Sequence, residues 1–248
     1  MSKARQLADL GNQVDDGAVT GSNMVINGAM QVAQRGTSAT VDTSDGYKTL
    51  DRFQYNEMGS YAGVHTMSQD TTGPSGFTNS LKFLTTTADS SLSGTDGFSL
   101  RYRVEGQDLQ RLGYGTSDAK SCTLSFYVKS NVTGTYTIYI QQPDASKALG
   151  VSYTVDAANT WERKTLTFAG NTSDVINNGN SIGMQIQWGL ATGPDWTSGT
   201  LQSDWTALSN GNYHAGQTAN VGSAVNNYWQ ITGVQLEVGD TATPFEHR

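Results

Sequence analysis

The sequence predicts an all-β fold: an antiparallel β-sandwich of the jelly-roll type preceded by a short N-terminal arm. Two observations carry that expectation. Apolar and polar residues alternate with period 2 in roughly ten or eleven short stretches separated by Gly, Asn, Asp and Ser. Hardly any stretch shows the 3-4 spacing of an amphipathic helix. Composition agrees. The chain has 248 residues, of which 36% are hydrophobic and 15% charged, and it holds 28 Gly. Gly, Ser, Thr and Asn suit short strands and polar turns better than long helices.

Residues 1–22 stand apart. Leu7, Leu10 and Val14 follow a helical spacing, enough for a turn or two and too short for a coiled coil by itself. This segment is expected to be an anchoring or oligomerisation arm. The β-sandwich domain is expected over residues 23–248.

The strands follow in order. Met24 and Ile26 lead to an Asn27-Gly28 turn and then to Met30 and Val32. Phe53 and Tyr55 alternate with Arg52, Gln54 and Asn56. After "YAGVHTM" and "SLKFLTT", Phe98, Leu100, Tyr102 and Val104 share one face, opposite Ser99, Arg101, Arg103 and Glu105. A helical turn is expected near Asp108 to Leu112. Cys122, Leu124, Phe126 and Val128, then Tyr136, Ile138 and Ile140, read as a hairpin turning at Asn131-Val-Thr-Gly134. "VSYTV", "WERKTLTFAG" and "SIGMQIQWGL" add three strands. Residues 191–227 form a long Gly- and Asn-rich connection, and such loops are usually functional or wrap a surface. In the last strand, Trp229 and Ile231 change phase to Val234, Leu236 and Val238 at Thr232-Gly233. A Gly within a strand marks a β-bulge, which would put both runs on one core.

Charge narrows the function. The formal net charge is −7, whereas a nucleic-acid binder shows a basic face. Only Arg248 is cationic beyond Lys164. The acidic last third serves solubility or, alternatively, a divalent cation. Cys122 is the lone cysteine; it excludes an intrachain disulfide and falls in the core phase of its strand. The N-terminus has no secretory h-region, and no run is long and apolar enough for a membrane helix. The expectation is a chain made and kept inside a cell, without membrane insertion.

Enzyme motifs are absent: no His-Glu-x-x-His, Gly-x-Ser-x-Gly, phosphate-cradling glycine loop or Cys-x-x-Cys. His65, His214 and His247 lie far apart and read as surface or turn residues. No carboxylate pair is singled out for glycoside hydrolysis. The chain is expected not to be an enzyme.

Aromatic and amide residues offer a binding chemistry instead. Sugars stack their C–H faces on Trp or Tyr, while amides and guanidiniums bond the hydroxyls. One candidate row is Tyr127, Lys129, Tyr139 and Gln141, joined by Arg101, Arg103, Gln185 and Gln187 if those strands share the hairpin's sheet. A second is loop-borne: Trp196, Trp205 and Tyr213. The alternatives are ordinary cross-strand pairs for the tyrosines and a plug over one end of the core for the tryptophans. Trp161, Trp188 and Trp229 read as core. No cofactor is implied. A structural calcium is the one cation considered, with Asn27, Glu237 and Asp240 as its nearest ligands.

"NMVINGAMQVAQRGT", "TLSFYVKSNVTGTYTIYI", "TWERKTLTFAG" and above all "YWQITGVQLEVGDTATPFEHR" resemble a domain recurring in tail-fibre and other virion structural proteins of marine bacteriophages, cyanophages among them. That domain is similar to jelly-roll carbohydrate-binding modules. The resemblance spans about residues 23–248. It implies a non-enzymatic virion protein, a tail fibre or fibre-like appendage, assembled as a homotrimer and touching host-surface glycans. It implies that residues 1–22 dock onto other virion proteins. In such relatives the chain often continues past the Glu-His-Arg ending. Two alternatives stay open: a capsid decoration or head-fibre protein, and a stand-alone carbohydrate-binding module.

Overall fold

The computed structural model describes Lys3 and residues 23–248. The arm expected at residues 1–22 therefore lies, apart from Lys3, outside the described residues. The rest forms two antiparallel sheets. The first runs, in spatial order, β1 (Ser38–Val41), β4 (Val64–Asp70), β5 (Ser80–Thr87), β13 (Tyr228–Val238), β7 (Cys122–Ser130) and β10 (Glu162–Phe168). The second runs β12 (Thr206–Ala207), β9 (Lys147–Val155), β8 (Gly134–Gln142), β11 (Ile182–Thr192), β6 (Gly97–Glu105), β3 (Phe53–Met58) and β2 (Gly46–Tyr47). The expected sandwich is the one formed. A 3-10 turn, Gly106–Leu112, occupies the place of the expected helical turn.

The inward phase of each strand makes the core. Leu124, Phe126 and Val128 of β7 and Met184, Ile186, Trp188 and Leu190 of β11 are completely buried. Aromatic rings bridge the sheets: Phe126 meets Trp188 edge-on at 6.1 Å, and Phe83 meets Phe98 at 5.7 Å. Trp229 Nε1 of β13 donates to the Tyr153 hydroxyl of β9 across the same gap, at 3.3 Å. Cys122 is buried as expected, and burial pushes its thiol up to about 12; it is inert packing.

Four expectations need correction. First, β7 and β8 are not a hairpin: they belong to opposite sheets, and their apolar faces meet across the core. Alternation tells which face is apolar but not which strand is the neighbour. The connecting segment is tied to β13, with Tyr228 N donating to Asn131 Oδ1 and Ser130 Oγ to the Tyr228 carbonyl. Second, residues 24–32 hold no strand. Asn27 takes a left-handed φ of 63°, and its Oδ1 accepts from the backbone N–H groups of Gln31 and Val32. Third, His65 and His214 are fully buried rather than superficial. His65 stacks on Phe98 at 3.9 Å, with Tyr61 and Thr85 hydroxyls on its two ring nitrogens. Exposed His247 fits the expectation. Fourth, Trp161 is half-buried, with Lys129 Nζ 5.1 Å above its ring, whereas Trp188 and Trp229 are core.

The phase change in β13 is a bulge. Register with β7 shifts between Thr232 and Gln235, and Gly233 has φ 62°. Trp229, Ile231, Val234 and Leu236 are all fully buried. β13 pairs with β5 only from Tyr228 to Ile231. Beyond the bulge, the chain's entry replaces β5: Met24 N donates to Leu236 O and Val234 N to Gly28 O. The exit closes the clasp, with Asn27 N on Arg248 O and Asn23 Nδ2 on Glu246 O.

Gly233 tolerates no side chain. A Cβ there would lie 2.7 Å from Phe77 and 3.1 Å from Tyr127, on a left-handed backbone. Gly233→Ala is expected to cost about 2–4 kcal/mol, lowering the melting temperature by roughly 5–15 °C. Gly179→Ala, where a Cβ meets nothing within 4 Å, should leave it nearly unchanged. Equal melting temperatures for the two variants would contradict the bulge account.

Candidate functional site

The outer face of the second sheet carries two polar rows that cross its strands. In one, Tyr47 (β2) faces Gln54 (β3), which faces Arg101 (β6), then Gln187 (β11), then Tyr139 (β8). Tyr47 and Tyr139 are four strand spacings apart, roughly 19 Å. In the neighbouring row, Arg103, Gln185 and Gln141 stand side by side. Period 2 places these residues outward because their neighbours Leu100, Tyr102, Ile186 and Ile140 are core.

The rows hold two bonded networks: Arg101 with Gln54 and Asp45, and Arg103, Gln185, Gln141, Gln187 and Tyr139, whose two halves meet where Gln185 Nε2 donates to Gln187 Oε1. Arg101 Nε donates to Gln54 Oε1 at 3.1 Å, and its Nη2 reaches Asp45 at 3.0 Å. Arg103 Nε donates to Gln185 Oε1 at 3.1 Å. The Tyr139 hydroxyl donates to Gln187 Oε1 at 2.9 Å, and Gln185 Nε2 donates to Gln141 Oε1 at 3.4 Å. Such bonding fixes amide rotamers before any ligand arrives, which reduces the entropy lost on binding.

The long connection builds a wall beside the rows. It contains α1 (Pro194–Thr197) and α2 (Asn210–Tyr213), which pack on each other. Tyr213 stacks on Tyr139 at 4.6 Å, and Trp196 stacks on Tyr213 at 5.7 Å. The three rings are nearly parallel, and Trp196 and Tyr213 stay half-exposed. Trp196 is anchored by its Nε1 on the Thr95 carbonyl at 2.6 Å. His214 supports the wall from below: its Nδ1 bonds the Thr137 hydroxyl at 2.7 Å and its ring meets Tyr139 edge-on.

Of the residues singled out in the sequence, Tyr139, Gln185, Gln187, Arg101 and Trp196 converge here, with Arg103, Gln141 and Tyr213. Tyr127 and Lys129 do not: they lie on β7, in the other sheet. Tyr127 packs there against Phe77, 5.4 Å away. Trp205 is a plug. It is only 7% exposed, meets Tyr114 edge-on, and donates its Nε1 to the Ala169 carbonyl. Gln54, Asp45 and Tyr47 were missed, although Gln54 stood in plain alternation between Phe53 and Tyr55. Tyr47 also borders a groove of about 450 Å³ lined by Val32, Gln34, Arg35, Asp51 and Arg52.

Asn27, Glu237 and Asp240 do not make a cation cage. The Asn27 oxygen is taken by two backbone N–H groups. Both Glu237 oxygens accept from Thr243. Asp240 is exposed, with Thr241 donating to Oδ1. Among the described residues no group of three or more His, Cys, Asp or Glu is arranged for a metal.

The sequence matches no family model and no curated protein. Solved structures show a distant likeness. The enzymatically active domain of tailspike protein 4 from bacteriophage CBA120 has a TM-score of 0.45 and 11% identity, covering 88% of this chain and 21% of that one. This chain thus spans about a fifth of that tailspike chain's length. A Bacteroides thetaiotaomicron protein assigned to sugar binding has a TM-score of 0.45 and 12% identity, covering 87% and 99%. TmCBM61 in complex with beta-1,4-galactotriose has a TM-score of 0.39 and 8% identity, covering 88% and 99%.

The buried histidines predict a pH response. Burial lowers both His65 and His214 to about 3, below the unfolded value near 6.5. The unfolded state therefore takes up protons first as pH falls. Stability is complete above pH 6.5 and declines from there toward pH 3, by about 2 kcal/mol per histidine at pH 5. Thermal melts at pH 7.5 and 5 should differ by roughly 10 °C, and His214→Gln should remove about half of the difference. A melting temperature constant over that interval would rule this out.

Proposed function

We propose that this chain is a non-enzymatic virion protein, a tail fibre or fibre-like appendage, that binds surface glycans of its host through the outer face of the second sheet. The observation that carries the reading is the juxtaposition of a pre-bonded amide and guanidinium lattice with a half-exposed aromatic wall, Trp196 and Tyr213. A sugar ring presents an apolar C–H face and a rim of hydroxyls. Trp196, at the outer end of the stack, suits the first, with Tyr213 backing it from between Trp196 and Tyr139, and the lattice suits the second. Similar rows of amides occur on many solvated sheets; what singles this one out is its bonding into fixed rotamers beside stacked rings. The virion setting and the trimeric assembly rest on the sequence resemblance, and the non-enzymatic character on the absence of catalytic motifs.

Two tryptophans test the reading against each other. Trp196→Ala should weaken retention on host-surface polysaccharide by about ten- to thirtyfold, and Tyr213→Ala, which removes the ring that backs Trp196, by about three- to tenfold, both with small changes in melting temperature. Trp205→Ala should do the reverse, costing about 3–5 kcal/mol of stability while the folded fraction keeps its affinity. Affinity electrophoresis of the purified variants reads one effect and thermal melts the other. Retention that survives both wall variants would refute the assignment of this face.

A further inference from the structure

We propose that the saccharide recognised at this face is anionic, its carboxylate or sulfate seated on the Arg103 guanidinium. This rests on the glycan reading above and narrows it. The lattice is unbalanced between donors and acceptors. Each of its four amide oxygens accepts at least one bond, Gln54 from Arg101, Gln185 from Arg103, Gln187 from Tyr139 and Gln185, and Gln141 from Gln185; the imbalance comes from the two guanidiniums, which bring five N–H donors each and no acceptor. The donors are not exhausted. Among the described residues the Nη groups of Arg103, Nη1 of Arg101 and the side-chain amides of Gln54 and Gln141 have no acceptor. The face therefore offers N–H groups in excess, and a ligand rich in acceptors matches it.

Arg103 is the sharpest case. Its neighbour Arg101 has Asp45 as counter-ion, and Arg52 has Glu105. Arg103 has no carboxylate within ion-pair distance among the described residues, although it is half-buried and stands beside a second guanidinium on the same strand face. Burial and the Arg101 charge depress its pKa, and Tyr47 and the Asp45 charge offset this only in part. Only its Nε–H is spent, on Gln185. The planar fork left open is the geometry that binds carboxylate or sulfate oxygens in pairs. In a chain of net charge −7, Arg103 is thus a cation with no carboxylate in ion-pair contact among the described residues and with its Nη groups open.

The experiment compares matched polymers. Full-length protein is titrated with polygalacturonate and its methyl ester, and with a sulfated galactan and its desulfated form. Binding at least tenfold tighter to one charged member than to its neutral partner supports the proposal, and the pair that responds tells carboxylate from sulfate. Arg103→Gln should abolish that preference while leaving weak binding to the neutral polymer, and Arg103→Lys should restore part of it. Arg163→Gln, on the opposite sheet, controls for general charge and should have no effect. Equal affinity for charged and neutral partners, or an unchanged preference in Arg103→Gln, overturns the anionic assignment alone. Absence of binding to all four polymers, or binding indifferent to Trp196→Ala, overturns the glycan reading with it.

Discussion

The structure turns on one local irregularity, the left-handed Gly233 in β13. Without the extra residue, the phase of β13 would put Val234 and Leu236 on the outer face. With it, the whole strand is apolar inward. The bulge also ends pairing with β5 after Ile231 and frees the far half of the strand for a new partner. That partner is the chain's own entry, and the approach is so close that a Cβ on Gly28 would sit 2.0 Å from the Val234 carbonyl. Entry, exit and closing strand thus interlock. The outward Gln235 and Glu237 are buried beneath the exit segment, bonded to Pro244, Glu246 and Thr243. A strand that must bond both β7 and the chain's entry cannot slip register without breaking both ladders, which is why the polar outer positions are so strictly determined.

This explains what could be seen from sequence. Alternation located Phe98 to Val104, Cys122 to Val128, and Ile182 to Leu190 correctly, because each has one buried and one outer face. The bulge was visible as a Gly at a phase change. Partner choice was not visible. Cys122–Val128 and Tyr136–Ile140 satisfy a hairpin and a place in opposite sheets equally well; the ladders of β7 with β10 and β13 and of β8 with β9 and β11 decide between them, and Asn131 and Ser130 tie the connection to β13. The same ambiguity split the candidate row, sending Tyr127 and Lys129 to one sheet and Tyr139 and Gln141 to the other. Strand β1 was overlooked because its residues, Ser38 to Val41, are mostly exposed and carry little alternation. The histidines were misjudged for a related reason: partners such as Thr85 and Thr137, which make burial tolerable, lie far off in sequence.

The outer face of the second sheet is divided by its glycines. Away from the long connection it carries half-buried Arg101 and Arg103 beside Gln54, Gln185 and Gln187, which are buried. Where the long connection lies over it, β9 and β11 place Gly150 and Gly189. A Cβ on Gly150 would meet Leu201 at 2.7 Å, and one on Gly189 would meet His214 at 2.6 Å. Glycines let the loop lie flush on the sheet, which brings Tyr213 down onto Tyr139. β11 and β8 pair only over residues 185–188, and beyond that the N–H groups of Thr218 and Ala219 bond the Thr135 carbonyl. The loop is therefore part of the sheet at one end and a wall over it at the other.

That division sets how rigid the face is. Rings held by a loop alone would have to be ordered by the ligand, at a cost of about 0.5–1.5 kcal/mol for each side chain immobilised. Here the order precedes the ligand: Trp196 is tethered to Thr95, Tyr213 is clamped between two rings, and the amides are locked to one another. A fixed lattice gains specificity and loses adaptability. It cannot rotate an amide to offer an oxygen where it now offers an N–H without breaking a neighbour's bond, so its donor excess is a standing property of the fold. Under the glycan proposal, selectivity against donor-rich, acceptor-poor ligands would come from the cost of leaving buried N–H groups unpaired, and that cost would concentrate at Arg103, which has no carboxylate in ion-pair contact among the described residues.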